Sequence, residues 1–159
     1  MLDGLFVTPS VIAITEALAS AKAAGTLAVI GNAKLATALG SAREVIPVAL
    51  SARAAKKLPT AIADLATLAP GSLAAVVGVD LAIAGDWEAT IRGWARVVRD
   101  GGAIVFVDRG HRNEASRRAL CGGLCEIEQR QAGRTVITSG RVSPLGAPGD
   151  GVSFGSFPT

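Results

Sequence analysis

The sequence predicts a three-layer α/β domain with a mostly parallel sheet that ends in an antiparallel hairpin. Three observations point there. The apolar runs at 26–31, 44–50, 73–80 and 103–108 lack polar alternation, which suits strands buried on both faces. Between them lie stretches with helical spacing and helix punctuation. Beyond about residue 120, two alternating segments, 125–131 and 134–139, meet at Ala132-Gly133 as the arms of a hairpin do.

The elements follow in order. The first helix has Thr8 as N-cap, Pro9 in the first helical position and Gly25 as its stop. Val11, Ile14, Leu18 and Ala21 share one face of it. The run 26–31 is the first strand, 33–39 a short helix stopped by Gly40, and 44–50 the second strand. Pro47 has no N–H, so one ladder position there lacks a donor. Ser51 caps a helix through Lys57, and Pro59 ends it. A short strand at 60–63 precedes a loop or broken helix at 65–72. After the strand at 73–80, Asp86 caps a helix with Trp87, Ile91, Trp94 and Val98 on one face. Gly101-Gly102 stops that helix, and the strand at 103–108 follows. A polar, basic helix at 111–120 ends at Gly122-Gly123.

Length and composition bound the function. A chain of 159 residues makes one domain and buries roughly two thirds of its unfolded surface. With 50% hydrophobic residues and a net charge of +3, it is not a disordered chain. Cys121 and Cys125 are the only cysteines, so no disulfide scaffold exists. A zinc set has at most His111, Cys121 and Cys125 to draw on, without a Cys-x-x-Cys, and no metal site is expected. Twelve of the sixteen basic residues are Arg, and ten of them lie from Arg92 onward. Arg109, Arg112, Arg117 and Arg118 form the densest basic cluster, either a solvated face or a face for an acidic partner. With 4% aromatic residues there is no platform for stacking bases, and nucleic acid is not an expected partner. No run reaches the roughly 20 apolar residues of a membrane span, and the N-terminus has no secretory pattern, so the reading is cytoplasmic. Mean hydropathy of +0.44 is high for a soluble monomer and suggests a surface buried against a protein partner or a second copy. Residues 1–142 form the domain, and 143–159 a Gly/Pro/Ser-rich tail bearing Phe154 and Phe157, candidate partner-binding residues together with Arg117 and Arg118.

The order of elements and several stretches resemble the Rossmann-like fold of class I S-adenosylmethionine-dependent methyltransferases, over residues 9–142. Leu73-Ala-Ala-Val-Val-Gly-Val-Asp80 is similar to that family's fourth strand. Arg96-Val-Val-Arg-Asp-Gly-Gly102 is similar to its helix-to-strand turn before the fifth, and the stretch from Cys125 to Gly140 to its terminal hairpin. The resemblance implies cofactor positions at Gly31 and Asn32 after the first strand, Ala49 after the second and Asp64 after the third. At these positions the chain departs from the family. Gly31 is the only glycine left in the loop, no acid precedes it, and Ala33 and Leu35 crowd the path of the methionine moiety. Ala49 replaces the acid that binds the ribose hydroxyls, while Asp64 matches the acid facing the adenine. Asp80, Asp108 and His111 stand at strand ends where substrate-facing groups lie in open α/β sheets, and are the candidate catalytic residues. Each acid also reads as a cap or loop carboxylate, and His111 as an exposed helix-start residue. The expectation is a methyltransferase-like pseudoenzyme with no bound cofactor, serving as an interaction or scaffolding subunit. The alternatives are an active S-adenosylmethionine-dependent methyltransferase with a divergent loop, and a module for another nucleotide or anionic partner.

Overall fold

The computed structural model describes residues 2–143, with side chains from Pro9 onward. One six-stranded sheet runs in the order β2-β1-β3-β4-β6-β5, with β1 (Leu27–Ile30), β2 (Val45–Val48), β3 (Leu73–Val79), β4 (Val98–Arg109), β5 (Leu124–Ala132) and β6 (Thr135–Val142). The first four strands are parallel, and β6 pairs antiparallel with both β4 and β5. The helices are α1 (Leu2–Ser20), α2 (Ala33–Leu39), α3 (Ala52–Ala55), α4 (Trp87–Val97) and α5 (Arg112–Cys121). The short strand expected at 60–63 is a single parallel bridge, Val48 to Ile62.

Strand alternation divides the core in two. Leu27, Val29, Ala75, Val77, Ala103 and Val105 point to one face, against α1 and α2. Ala28, Val76, Ile104 and Phe106 point to the other, against α4 and α5. Apolar residues on both faces are what makes these strands read as continuous runs, and they give the expected three layers.

Several boundaries differ from those read in the sequence. Helix α1 begins at Leu2, so Pro9 lies inside it, and the side chain of Thr8 falls outside the described residues. A proline within a helix forfeits one N–H bond while its own carbonyl still accepts, so the helix can pass through it. The helix stops before Gly25. Lys22 adopts φ 55°. The Ala23 N–H then reaches the Leu18 carbonyl at 2.9 Å and the Lys22 N–H reaches that of Ala19 at 3.1 Å. This is the paired bonding of a Schellman stop, with lysine where glycine is usual. Helix α3 is shorter than the 51–57 expected, although Ser51 does cap it, accepting from Ala54 N–H at 3.3 Å.

The pair Gly101-Gly102 does not end a helix. Helix α4 is over at Val97, and the glycines lie in an irregularity of β4, where Leu73 pairs with Val98 but Ala75 pairs with Ala103. Gly101 supplies φ 79°. Gly102 allows close approach, because a Cβ there would lie 2.5 Å from the Ala74 carbonyl oxygen. Asp86 heads α4 as read, but its carboxylate makes no capping bond.

Candidate functional site

The sheet order places β1 between β2 and β3, so the chain leaves β1 toward one edge and returns at β3 on the other side. In open α/β sheets the carboxyl ends of two such strands diverge and leave a crevice. Here the residues just past the strand ends share one backbone feature. Gly31 after β1, Ala49 after β2, Asp80 after β3 and His111 after β4 have φ of 74°, 56°, 56° and 56°. The left-handed region costs a non-glycine residue about 1–2 kcal/mol. Three of the five left-handed non-glycine residues among those described lie along this crest, as strained backbone does at binding sites.

Two cavities flank the tip of β1. One, of about 390 Å3, lies between the ends of β1 and β2, the segment around Asp64, and α4, with Trp94 in its wall. The other, of about 360 Å3, lies over the ends of β1, β3 and β4. Ala49 and Asp64 line the first, while Asn32, Asp80 and Asp108 line the second. Gly31 is exposed between them, and a Cβ there would meet nothing within 4 Å.

The side chains at the first cavity are held by local structure. Asp64 Oδ1 accepts from Ala66 N–H at 3.0 Å and caps the short 3-10 turn Leu65–Thr67. That turn is held from the other side by Arg96, whose Nη2 donates to the Leu65, Ala66 and Leu68 carbonyls at 3.5, 3.3 and 3.1 Å. The arginine of the helix-to-strand turn therefore fixes the segment that forms one wall of the cavity. Ala49 donates its N–H to the Ile62 carbonyl at 3.0 Å, and its side chain is a methyl with no acceptor. Asn32 is likewise a cap, its Oδ1 accepting from Leu35 N–H at 2.9 Å. Leu35 is buried and lines the second cavity, while Ala33 is half-buried.

The end of β4 carries the unusual group. Asp108 is only 2% exposed. Its Oδ1 accepts from Ala82 N–H at 2.9 Å, and its buried Oδ2 has no partner. A buried acceptor left unpaired costs roughly 1–3 kcal/mol. Burial raises the Asp108 carboxyl above the usual carboxylate range; the Ala82 bond opposes this, the nearby Asp80 charge adds to it, and His111 and Arg118 pull it back down. Asp80 is exposed, with its N–H on the Val107 carbonyl at 2.9 Å. His111 stands at the head of α5, exposed and without a capping side-chain bond. Of the three catalytic candidates, Asp80 and Asp108 meet at one cavity, and His111 does not line it. Sequence reasoning did not single out Ser10, Arg109 and Thr135 as members of the same wall. Arg109 and Thr135 are paired residues of β4 and β6, a register that becomes visible only once the sheet is assembled.

Of the basic cluster, Arg109 ends β4 and lines the second cavity, while Arg117 and Arg118 lie on α5. Glu114 accepts from Arg117 Nε at 2.8 Å and from Arg118 Nε at 2.6 Å, and both guanidinium groups stack over Trp87, at 5.5 and 5.2 Å from its ring centroid. The two arginines hold the Glu114 carboxyl down at about 2. Arg118 also donates to the Leu81 and Ala84 carbonyls, both at 2.7 Å, and its side chain is 14% exposed against 54% for Arg117. Arg118 thus ties the 81–84 loop to α5, and Arg117 keeps a free side toward solvent. Phe154 and Phe157 lie outside the described residues. Among the described residues no group of three or more His, Cys, Asp and Glu side chains is placed to hold a metal ion. No helix among them is long and apolar enough to cross a membrane.

No protein-family model matches the sequence, and no curated protein matches it. Solved structures do match the fold. One is a T. thermophilus 16S rRNA methyltransferase in complex with AdoMet and guanosine, with a TM-score of 0.59, 20% identity, and coverage of 79% of this chain and 37% of that one. This chain therefore spans little more than a third of that enzyme. A Haloferax volcanii complex between a methyltransferase activator and a methyltransferase gives a TM-score of 0.62, 13% identity and coverage of 75% and 83%. A Thermotoga maritima SAM-dependent methyltransferase gives 0.59, 12%, 76% and 83%. The sheet, its antiparallel end and these neighbours agree: the chain has the Rossmann-like fold of class I S-adenosylmethionine-dependent methyltransferases.

Proposed function

We propose that this chain is a methyltransferase-fold protein that does not transfer methyl groups from S-adenosylmethionine and serves as an interaction or scaffolding subunit of a larger assembly. The observation that carries this reading is Ala49. It occupies the end of β2, at the mouth of the first cavity, where the resemblance puts the carboxylate for the ribose hydroxyls. A methyl group accepts nothing, and each missing charge-assisted hydrogen bond forfeits roughly 1.5–3 kcal/mol. Two further features support it. Asp64, the remaining acid, already caps a turn with one carboxylate oxygen. Gly31 is followed by Asn32, which is committed to its own helix cap. The residues present do not fit the cofactor. Support for an interaction role comes from the exposed Ile12, Ile83 and Leu120, at 54%, 62% and 61%, and from the free side of Arg117.

Isothermal titration with S-adenosylmethionine tests the first half of the reading. No heat of binding at micromolar concentration is expected, and micromolar binding would overturn it. A chain ending at Ser143 tests the second half, since it keeps all of β6, including the Val142 that pairs with Leu124. It should keep the fold and lose assembly by light scattering. Unchanged assembly refutes a role for the tail.

The two cavities flanking β1 favour one rival, an active methyltransferase with a divergent loop. It requires cofactor binding that is lost on Asp64→Ala.

A further inference from the structure

The sheet has two edges, and the chain treats them differently. At β2 the segment around Ile62 lies along the outer side of the strand. Ile62 N–H donates to the Pro47 carbonyl at 2.9 Å, and Ala49 N–H donates to the Ile62 carbonyl at 3.0 Å. Pro47 has no N–H to offer, so this edge is largely satisfied. At the other side β5 is the last strand, and among the described residues no backbone group pairs with its outer edge. An open edge is a template for another strand.

The residues of β5 define the strand that fits there. Its register against β6 slips between Cys125 and Glu128, where Glu126 has φ 51°, and from Glu128 to Ala132 the pairing is regular. In that regular part Glu128 and Arg130 share the face toward α1, on which Arg130 donates to Ser20 Oγ at 2.8 Å. Gln129 points to the opposite face and donates to the Arg112 carbonyl of α5 at 2.7 Å. An edge charged with one sign would repel its own copy, but here the two signs stand two residues apart. Antiparallel pairing of two β5 strands about a twofold axis at Gln129 sets Glu128 opposite Arg130 of the second copy, twice over. An axis at Glu128 or at Arg130 would instead set like charges face to face, which destabilises a strand pair. Charge therefore selects one register.

Two features of the same face agree. Arg130 holds its nearest carboxylates only loosely, Glu16 at 3.4 Å and Glu128 at 3.7 Å, against the roughly 2.7–2.9 Å of a tight charge-assisted bond. Ile12 lies one turn before Glu16 on α1 and is exposed. A second copy would bring its own α1 to this side of the joined sheet and cover it.

We propose that this chain forms a homodimer through β5, in which two six-stranded sheets join edge to edge into one, antiparallel about Gln129. The dimer goes beyond the non-catalytic reading and uses no residue of the tail. A chain ending at Ser143 should keep this dimer while losing the larger assembly, so failure of the tail reading leaves the dimer standing.

Sedimentation equilibrium of the full chain should show a dimer at micromolar concentration. Glu128→Arg and Arg130→Glu each set like charges opposite one another, and each should weaken dimerisation at least roughly ten-fold. An equal mixture of the two variants restores both opposite-charge pairs and should dimerise like the parent, with circular dichroism checking that each variant is folded. Gln129→Cys, made with Cys121→Ser and Cys125→Ser, reads the register independently of the charges. Cα atoms facing each other across an antiparallel pair lie about 4.5–5.5 Å apart, within disulfide reach, so oxidation should link two chains. The proposal fails if the full chain is monomeric, if either charge variant dimerises like the parent, or if the mixture of folded variants stays monomeric. It also fails if Gln129→Cys gives no linked pair, or if the chain ending at Ser143 is a monomer.

Discussion

Gly78, next to the last residue of β3, has a neighbour that no other residue could tolerate. A Cβ on Gly78 would lie 2.1 Å from Trp94 Cη2 and 2.8 and 2.9 Å from two more ring carbons. Carbon atoms rest at about 3.5–4.0 Å, so the indole of a Gly78→Ala variant must move by roughly 1.5 Å. It has little room. Trp94 is 8% exposed and packs edge-on against Phe106, with ring centroids 6.4 Å apart. Overpacking of this kind costs about 1–3 kcal/mol, and three ring atoms place it near the top of that range. Alanine in place of glycine within a strand returns about 0.5–1 kcal/mol. The net loss is about 2 kcal/mol, a fall in Tm of roughly 4–8 °C for a domain of this size. Thermal and urea unfolding of Gly78→Ala, Trp94→Leu and the double variant measure it. In the Trp94→Leu background the clash disappears, so the added alanine should be neutral or slightly stabilising. If Gly78→Ala costs as much with leucine at position 94 as with tryptophan, the contact with Trp94 is not the reason for the glycine. The displaced ring would also enter the cavity beside Ala49 and Asp64, which Trp94 lines.

Four further outcomes follow from the same structure. Gly102→Ala sets a Cβ 2.5 Å from a backbone carbonyl oxygen that cannot swing away, and should cost about 3 kcal/mol in urea unfolding. Lys22→Gly and Ala49→Gly remove left-handed strain at φ 55° and 56°, and each should stabilise by about 0.5–1 kcal/mol; a loss of Tm in either refutes the strain. The Asp108 carboxyl is raised by burial, so the native state holds its proton more tightly than the unfolded chain. Its contribution therefore falls as pH rises from the ordinary carboxylate value of 3.8 through the native one. The Tm advantage of Asp108→Asn should be larger at neutral pH than in acid. Glu114 runs the other way. Its stabilisation is present above the ordinary 4.5 and is lost as pH falls toward about 2, so Glu114→Gln should flatten the acid limb of the Tm profile.

The parts of the fold that follow local rules were readable in the sequence. Helix α2 runs from Ala33 to Leu39 and is followed by Gly40, as its spacing predicts, and Ser51 caps α3. The buried strands announced themselves by unbroken apolar runs. What the sequence hid falls under two physical headings. Left-handed backbone at Lys22, Ala49, Asp80 and His111 has no signature when the residue is not glycine or asparagine, so the stop of α1 was expected at Gly25. Contacts between distant segments are equally silent. Gly78 reads as an ordinary strand residue until Trp94 is laid over it, and Asp108 reads as a strand-end acid until the fold brings the Ala82 N–H to its buried carboxylate. The candidate site was therefore legible as a set of positions and not as two cavities flanking the tip of β1.

The strained crest bears on how far likeness of fold carries toward function. The crevice is shaped by backbone, through the left-handed turns at the ends of β1 to β4, and backbone is what the TM-scores of 0.59 to 0.62 register. What the crevice holds is decided by side chains, and here identity is 20% or less. At the end of β2 the turn is kept with a methyl on it. At the end of β4 a carboxylate is buried with one acceptor unanswered. A chain tuned only for stability would place glycine at Ala49 and an apolar residue at Asp108, since each choice now costs about 1–2 kcal/mol or more. The methyl of Ala49 accepts no hydrogen bond, whereas the Asp108 carboxylate takes the Ala82 N–H and so ties the 81–84 loop to the end of β4.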